Sequence, residues 1–296
     1  MNHFQILIFG IFFLLFSSCE KTIELDLEHV NPSVVVDGYV ETGLPPYILL
    51  SRTSGYFDPV NPSQLIGDAI SGALVHISDG SDTVQLVELS VNGILQKGLY
   101  VAIDTVLLTY LMTGTPGRTY TLNVLTPDGQ VVTSTAKLQM PVPLDSVWFK
   151  LTEDSDSLGL AYGHLDEPDT MNNCYRWFTK RLGKDDTFIS PLGAVFDDRF
   201  INGQSFDLFY NRGSVFNSDS EDDNNEEAGL FKTGDTIAVK FTTVDRGVFE
   251  FWRLAEQQLA NNGSPFAVPS NITSNIQGGM GLFATYSPVY DTIIAR

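Results

Sequence analysis

The residue with the most directly prescribed chemistry is Cys19. It follows an apolar stretch, Phe4–Phe16, in which Gln5 is the only polar side chain, and two small serines, Ser17 and Ser18, stand immediately before it. About 20 apolar residues are needed to span a bilayer, so this stretch has the length of a signal-peptide core. Small residues permit cleavage, and a thiol at the new terminus accepts diacylglycerol and fatty acyl chains such as palmitate. The pattern predicts a lipoprotein signal peptide over 1–18, lipidation at Cys19 and an acidic tether over 19–30. The segment before the apolar core carries His3 but no Lys or Arg.

Elsewhere the chemistry is sparse. Beyond the leader the histidines are His29, His76 and His164; His29 falls in the tether and His76 in a strand pattern. His164 stands near Asp166 and Glu167, in what reads as a surface loop. No Gly-x-Ser-x-Gly elbow, HExxH or CxxC occurs, and Gln277-Gly278-Gly279 reads as a tight turn or bulge, not a phosphate loop. Asp197-Asp198-Arg199 reads as an ion-pair corner. The expectation is a protein with no catalytic residues and no cofactor. With Cys19 acylated, Cys174 stands alone beside aromatics and reads as a buried thiol. The densest set of oxygen donors is Asn217–Glu227. Asp219, Glu221, Asp222 and Asp223 would be its calcium ligands, but the run lacks the central glycine of an EF-hand and reads as a solvated loop.

Charge narrows the partners. There are 17 basic and 36 acidic residues in 296, a net charge of −19. Such a surface repels phosphate backbones, which excludes nucleic acid, and it repels anionic headgroups. Membrane attachment must then come from acyl chains, at about 0.8 kcal/mol per buried methylene. No sequence feature specifies an oligomer.

These residues need a scaffold, and the pattern is one of strands. Val34–Val40, Tyr47–Ser51, Ala73–Ile77, Thr83–Val87, Leu99–Val101, Tyr120–Val124 and Val131–Thr135 are β-branched or aromatic runs punctuated by turn residues. Asp79-Gly80 signals a two-residue turn, and Pro127-Asp128-Gly129 another. An immunoglobulin-like β-sandwich is expected over 31–140. Met140-Pro141-Val142-Pro143 breaks the pattern. A larger β-rich domain follows over 141–296, with strands at Ser146–Leu151, Tyr175–Thr179 and Thr236–Phe241. One amphipathic helix is expected near 245–260, with Asp245 as N-cap, Asn261-Asn262-Gly263 as stop, and Val248, Trp252, Ala255 and Leu259 as its apolar stripe. Trp148, Trp177, Trp252 and the cluster Phe206–Tyr210 supply either core volume or a binding surface.

Several stretches are familiar in combination: Glu20–Leu27, Val34–Val40, Gly72–Val75 leading to Asp79-Gly80, Gly114–Leu122, Met140–Val147, Phe196–Gln204, Pro269–Gly279 and Gly281–Phe283. Together they resemble a family of Bacteroidota lipoproteins known as domain of unknown function 4249. The resemblance implies an outer-membrane, surface-exposed lipoprotein that serves as an accessory substrate-binding or partner-binding component beside a TonB-dependent transporter. It carries over no binding residues. The Gly72-Ala73-Leu74-Val75 and Gly117–Leu122 stretches are also similar to transthyretin-like and carboxypeptidase-regulatory sandwiches, which implies fold alone. The alternative functions are a surface adhesin or envelope-structural protein, and a surface hydrolase using His164.

Overall fold

The computed structural model describes residues 32–54, 68–91, 93–213, 229–261 and 271–296. Cys19, His29, the tether and the candidate calcium ligands Asp219, Glu221, Asp222 and Asp223 lie outside the described residues. The chain is mostly β, with one helix among the described residues.

Residues alternate across β1 (Val34–Glu41): Val34, Val36, Gly38 and Val40 are buried, while Asp37, Tyr39 and Glu41 face the other way. β2 (Tyr47–Arg52) pairs antiparallel with it. β3 (Leu74–Ser78), β4 (Thr83–Val91), β5 (Ile94–Val101), β8 (Thr119–Leu125) and β9 (Val131–Lys137) extend the same sheet, and β6 (Ile103–Asp104) with β7 (Thr109–Tyr110) forms a separate small hairpin. The Asp79-Gly80 turn is longer than expected. Ser78 pairs with Thr83, leaving four residues in the loop, because the Asp79 carboxylate accepts from the amides of Ser81 and Asp82.

The second half supplies β10 (Ser146–Leu151), β11 (Leu158–Asp166), β12 (Cys174–Arg181), β13 (Val195–Asp197), β14 (Ser205–Tyr210), β15 (Phe231–Lys232), β16 (Thr236–Val244), α1 (Arg246–Ala260), β17 (Ile276–Gln277) and β18 (Met280–Ile294). One twelve-stranded sheet runs β13-β12-β16-β18-β1-β2-β5-β4-β3-β8-β9-β17, and β10, β11, β14 and β15 form a second sheet. His164 lies in β11, not in a loop. The strand is hard to see because its buried positions are the small residues Gly159, Ala161 and Gly163, followed by Leu165. A Cβ on Gly163 would lie 3.0 Å from the Trp177 ring and one on Gly159 2.7 Å from the Phe149 ring, so each glycine makes room for an aromatic neighbour.

Residues 32–296 form one compact unit with three apolar clusters. The first is drawn from residues 34–138 together with Ile276 and Phe283. The second lies between the two sheets around Trp177, Phe231 and Phe241. The third lies beneath α1. The core thus changes at Met140–Pro143, but the two expected domains share β18. Residues 280–286 of that strand pair in parallel with β1, and 286–294 pair antiparallel with β16.

Helix α1 begins as expected, with the Asp245 side chain accepting from the Gly247 amide, and its C-cap is Asn261. Its buried face is Val248, Phe249, Ala255 and Glu256. Trp252 is half-buried and Leu259 is 39% exposed, so the contact stripe is rotated from the expected one.

Gly281 holds the splice between the first and last strands. Its φ is +104°, and a Cβ there would lie 2.0 Å from the Val36 carbonyl oxygen. Gly281→Ala should therefore cost roughly 2–4 kcal/mol through clash and backbone strain. The check is the midpoint of denaturant unfolding; an unchanged midpoint would contradict this close approach.

Candidate functional site

The face of β1 that turns away from the first core gathers aromatic residues from three strands. Tyr39 pairs directly with Tyr47 of β2 and stacks on it, with ring centroids 4.9 Å apart and planes at 20°. On its other side Tyr39 stacks on Tyr286 of β18 at 5.7 Å and 20°. The order β2-β1-β18 therefore turns three tyrosines, distant in sequence, into one row. Tyr286 is covered by α1, whereas Tyr47 is open to solvent.

At the open end lies a groove of about 390 Å³ lined by Tyr39, Glu41, Leu44, Pro45, Tyr47 and Leu99, with Val101 completing it. Leu99 also borders a second depression of about 760 Å³ that runs along Leu49, Ile94 and Leu95. A third, of about 430 Å³, lies between β10 and the end of β18.

Charges frame the first groove. Glu41 accepts from Lys240 Nζ at 2.5 Å and from the Tyr290 hydroxyl at 2.7 Å. The ammonium lies 5.6–6.0 Å from the ring centroids of Phe178, Phe188, Tyr286 and Tyr290. Behind them the Arg176 guanidinium sits 3.5 Å over the Trp252 ring and 4.8 Å over Phe178. It donates to Ser190 Oγ at 3.2 Å and to the Tyr286 hydroxyl at 3.5 Å, and lies 3.9 Å from Glu256. Trp252 Nε1 also donates to the Tyr286 hydroxyl, at 3.1 Å.

Burial sets the protonation states. It raises the pKa of the Tyr39 and Tyr286 phenols and pushes Tyr47 up to about 12, with Asp37 and other acidic groups adding to the Tyr47 shift. The row is therefore neutral at ordinary pH. Asp37 reaches solvent, yet desolvation by the surrounding protein raises its pKa, opposed by a hydrogen bond from Tyr39. Glu256 is raised by burial and held back by Arg176 and the Gly193 amide. The groove thus offers π surface, aliphatic walls and the Glu41 carboxylate. That chemistry suits binding by stacking and apolar contact.

The other residues singled out in the sequence fall in several places. Trp177 is fully buried in the second core, and Trp252 covers Arg176. Trp148 stacks on Tyr162 at 5.5 Å, and Tyr162 meets Phe209 at 5.2 Å, making a second aromatic row on the outer face of the smaller sheet. Of the Phe206–Tyr210 cluster, Phe206, Leu208 and Tyr210 pack inward and Phe209 faces out. Cys174 is fully buried, and desolvation pushes its pKa up to about 11. Asp197 binds Arg199 and Arg246, each at 2.8 Å, and Asp198 accepts from the Asn173 amide. Gly278 adopts φ +79° in the turn between β17 and β18. His76 is half-buried, opposite Gln85 and Asn123.

His164 does have a carboxylate partner. Its Nδ1 lies 2.6 Å from Asp207 Oδ1, its Nε2 lies 3.6 Å from Asp166, and Ser146 stands opposite in register. The group sits on the solvent face of the sheet, and none of the three depressions includes it. Among the described residues no group of three His, Cys, Asp or Glu side chains could hold a metal ion.

The hydrogen bond from His164 to Asp207, followed by the nearby carboxylate charges, raises the His164 pKa above the ordinary 6.5. A raised histidine stabilises the fold fully below pH 6.5 and loses that contribution as pH climbs through the folded value. A proton NMR titration should show a His164 midpoint above 6.5, and Asp207→Asn should return it toward that value.

Comparison with known proteins gives one family. A family model described as Domain of unknown function (DUF4249) matches residues 20–290. No curated protein matches the chain.

Proposed function

The chain belongs to the DUF4249 family, and from that premise we propose that it is a lipid-anchored outer-membrane protein that binds a substrate or partner for a TonB-dependent uptake system. The observation that carries the binding role is the open end of the tyrosine row. Tyr47 and Leu44 are 40% and 50% exposed around a preformed groove, beside stacked rings held by cross-strand pairing. Stable folding does not require large side chains to be left uncovered next to a covered part of the same face.

The anchor is the Cys19 thiol, positioned by the apolar run before it. Among the described residues no helix is long and apolar enough to cross a membrane. Attachment through acyl chains would leave the β body free to face a receptor. The acidic composition complements a cationic or neutral partner surface and repels an anionic one. Since His164 lies on an open sheet face and lines none of the three depressions, binding is favoured over hydrolysis.

Two measurements test this. Intact-mass analysis of the membrane-extracted protein should find a diacylated Cys19 as the first residue; a free thiol there would remove the anchor. Tagged protein solubilised in mild detergent should bring down a large β-barrel receptor. Replacing both rings, Tyr39→Ala with Tyr47→Ala, should lower recovery about tenfold, given about 0.5–1.5 kcal/mol for an aromatic pair beyond area burial. Recovery that does not depend on these tyrosines would move the binding site elsewhere.

A further inference from the structure

The hairpin β6–β7 exposes the most apolar turn among the described residues. Val106, Leu107 and Leu108 are 86%, 70% and 81% exposed, with Tyr110 at 60% just beyond. The residues are consecutive, so their side chains form one protrusion and not a scatter of isolated surface apolars. From Thr105 to Gly117 there is no charged residue, in a chain that is 18% charged.

The protrusion is built to hold its shape. Ile103 pairs with Tyr110 and Asp104 with Thr109, and the Leu111 amide donates to the Ala102 carbonyl. The Asp104 carboxylate accepts from the amides of Val106 and Leu107 at 2.8 and 2.9 Å. Two amides at the tip are therefore satisfied from within the hairpin, and the Asp104 carboxylate, which those two bonds hold below the usual carboxylate range, limits entry to the residues beyond it. Leu108 adopts φ +52°, a left-handed conformation that branched aliphatic side chains seldom take. A glycine would suit that backbone better, so the leucine is there for its side chain.

We propose that this hairpin tip inserts into the apolar layer of a lipid bilayer. Three features favour lipid over a protein partner. The surface is convex and three residues wide, a shape that enters a fluid medium without needing a matching hollow. Tyr110, with Thr105 and Thr109, stands where the wedge meets the body, as amphipathic side chains do at a membrane interface. The net charge of −19 makes attraction to anionic headgroups unavailable, so the contact must be apolar. The inference does not depend on acylation.

The test uses the chain from Glu20 onward, which keeps the whole compact unit 32–296 and lacks both the acyl site and the leader. In flotation with phosphatidylcholine vesicles it should rise with the lipid, to the same extent at low and high salt. Leu107→Ser with Leu108→Ser should lower the partition coefficient at least about tenfold. Phe200→Ser, at a position 87% exposed elsewhere, should leave it unchanged. An unaltered unfolding midpoint in the double variant separates lost insertion from lost folding. Failure of the parent chain to float, flotation by the double variant equal to the parent's, or binding abolished by salt would each overturn the proposal. Concentration-dependent self-association abolished in the double variant would instead assign the tip to a second copy of the chain, and would overturn it too. None of these readouts involves Cys19 or a transporter, so this inference and the proposed function fail separately.

Discussion

The parallel pairing of β1 with the first half of β18 is the constraint on which the rest of the structure depends. It joins residues some 245 positions apart, such as Val36 and Gly281, and it places one strand in three environments. Phe283 points into the first core, Leu282, Ala284 and Tyr286 point toward α1, and Val289 and Ile293 reach the second core. A parallel pair needs a long connection, and here nearly the whole chain is that connection. The loop-closure entropy is recovered only when all three clusters are packed, so the cores are coupled through β18.

The same pairing makes the aromatic face. Helix α1 covers the side formed by β12, β16 and β18, and leaves the side formed by β1, β2 and β5 open. Arg176 and Glu256 lie under the covered part, both nearly buried. Taking two charges from water is costly, and a separation of 3.9 Å returns only part of it. Part of the remainder is offset by the rings of Trp252 and Phe178 around the guanidinium and by hydrogen bonds from Arg176 to Ser190 and from the Gly193 amide to Glu256 Oε2, while Glu256 Oε1 is buried without a hydrogen bond. These contacts fix Tyr286, Tyr286 supports Tyr39, and Tyr39 supports the exposed Tyr47. The preorganisation of the open groove thus comes from the covered side.

Strand content was largely legible. Runs such as Val34–Val40, Ser146–Leu151 and Thr236–Phe241 lie in the observed strands because β-branched and aromatic residues fill a pleated, half-buried surface. Asp245 was legible as a cap since its role is local. What escaped had a non-local cause. β11 is disguised by glycines that leave room for rings from other strands, Gly163 for Trp177 and Gly159 for Phe149. The helix stripe turned so that Phe249 and Glu256 meet the sheet, a choice set by the partner surface and not by the helix's own period. Of the site, Tyr39 could be placed by alternation on the solvent side of its strand, but nothing near it in sequence points to Tyr47 or Tyr286 as its neighbours.

By itself, then, the sequence determined the mostly β class, the cap and extent of the helix, the acidic character and the thiol poised behind an apolar run, since each depends on residues within a turn or a few strand positions of one another. Only the tertiary structure decided that the first and last strands meet, that three tyrosines form one row, that His164 faces Asp207, and that Val106, Leu107 and Leu108 remain uncovered. These outcomes depend on which strands become neighbours and in what register. That is set by the joint packing of all three cores, a quantity no local window contains.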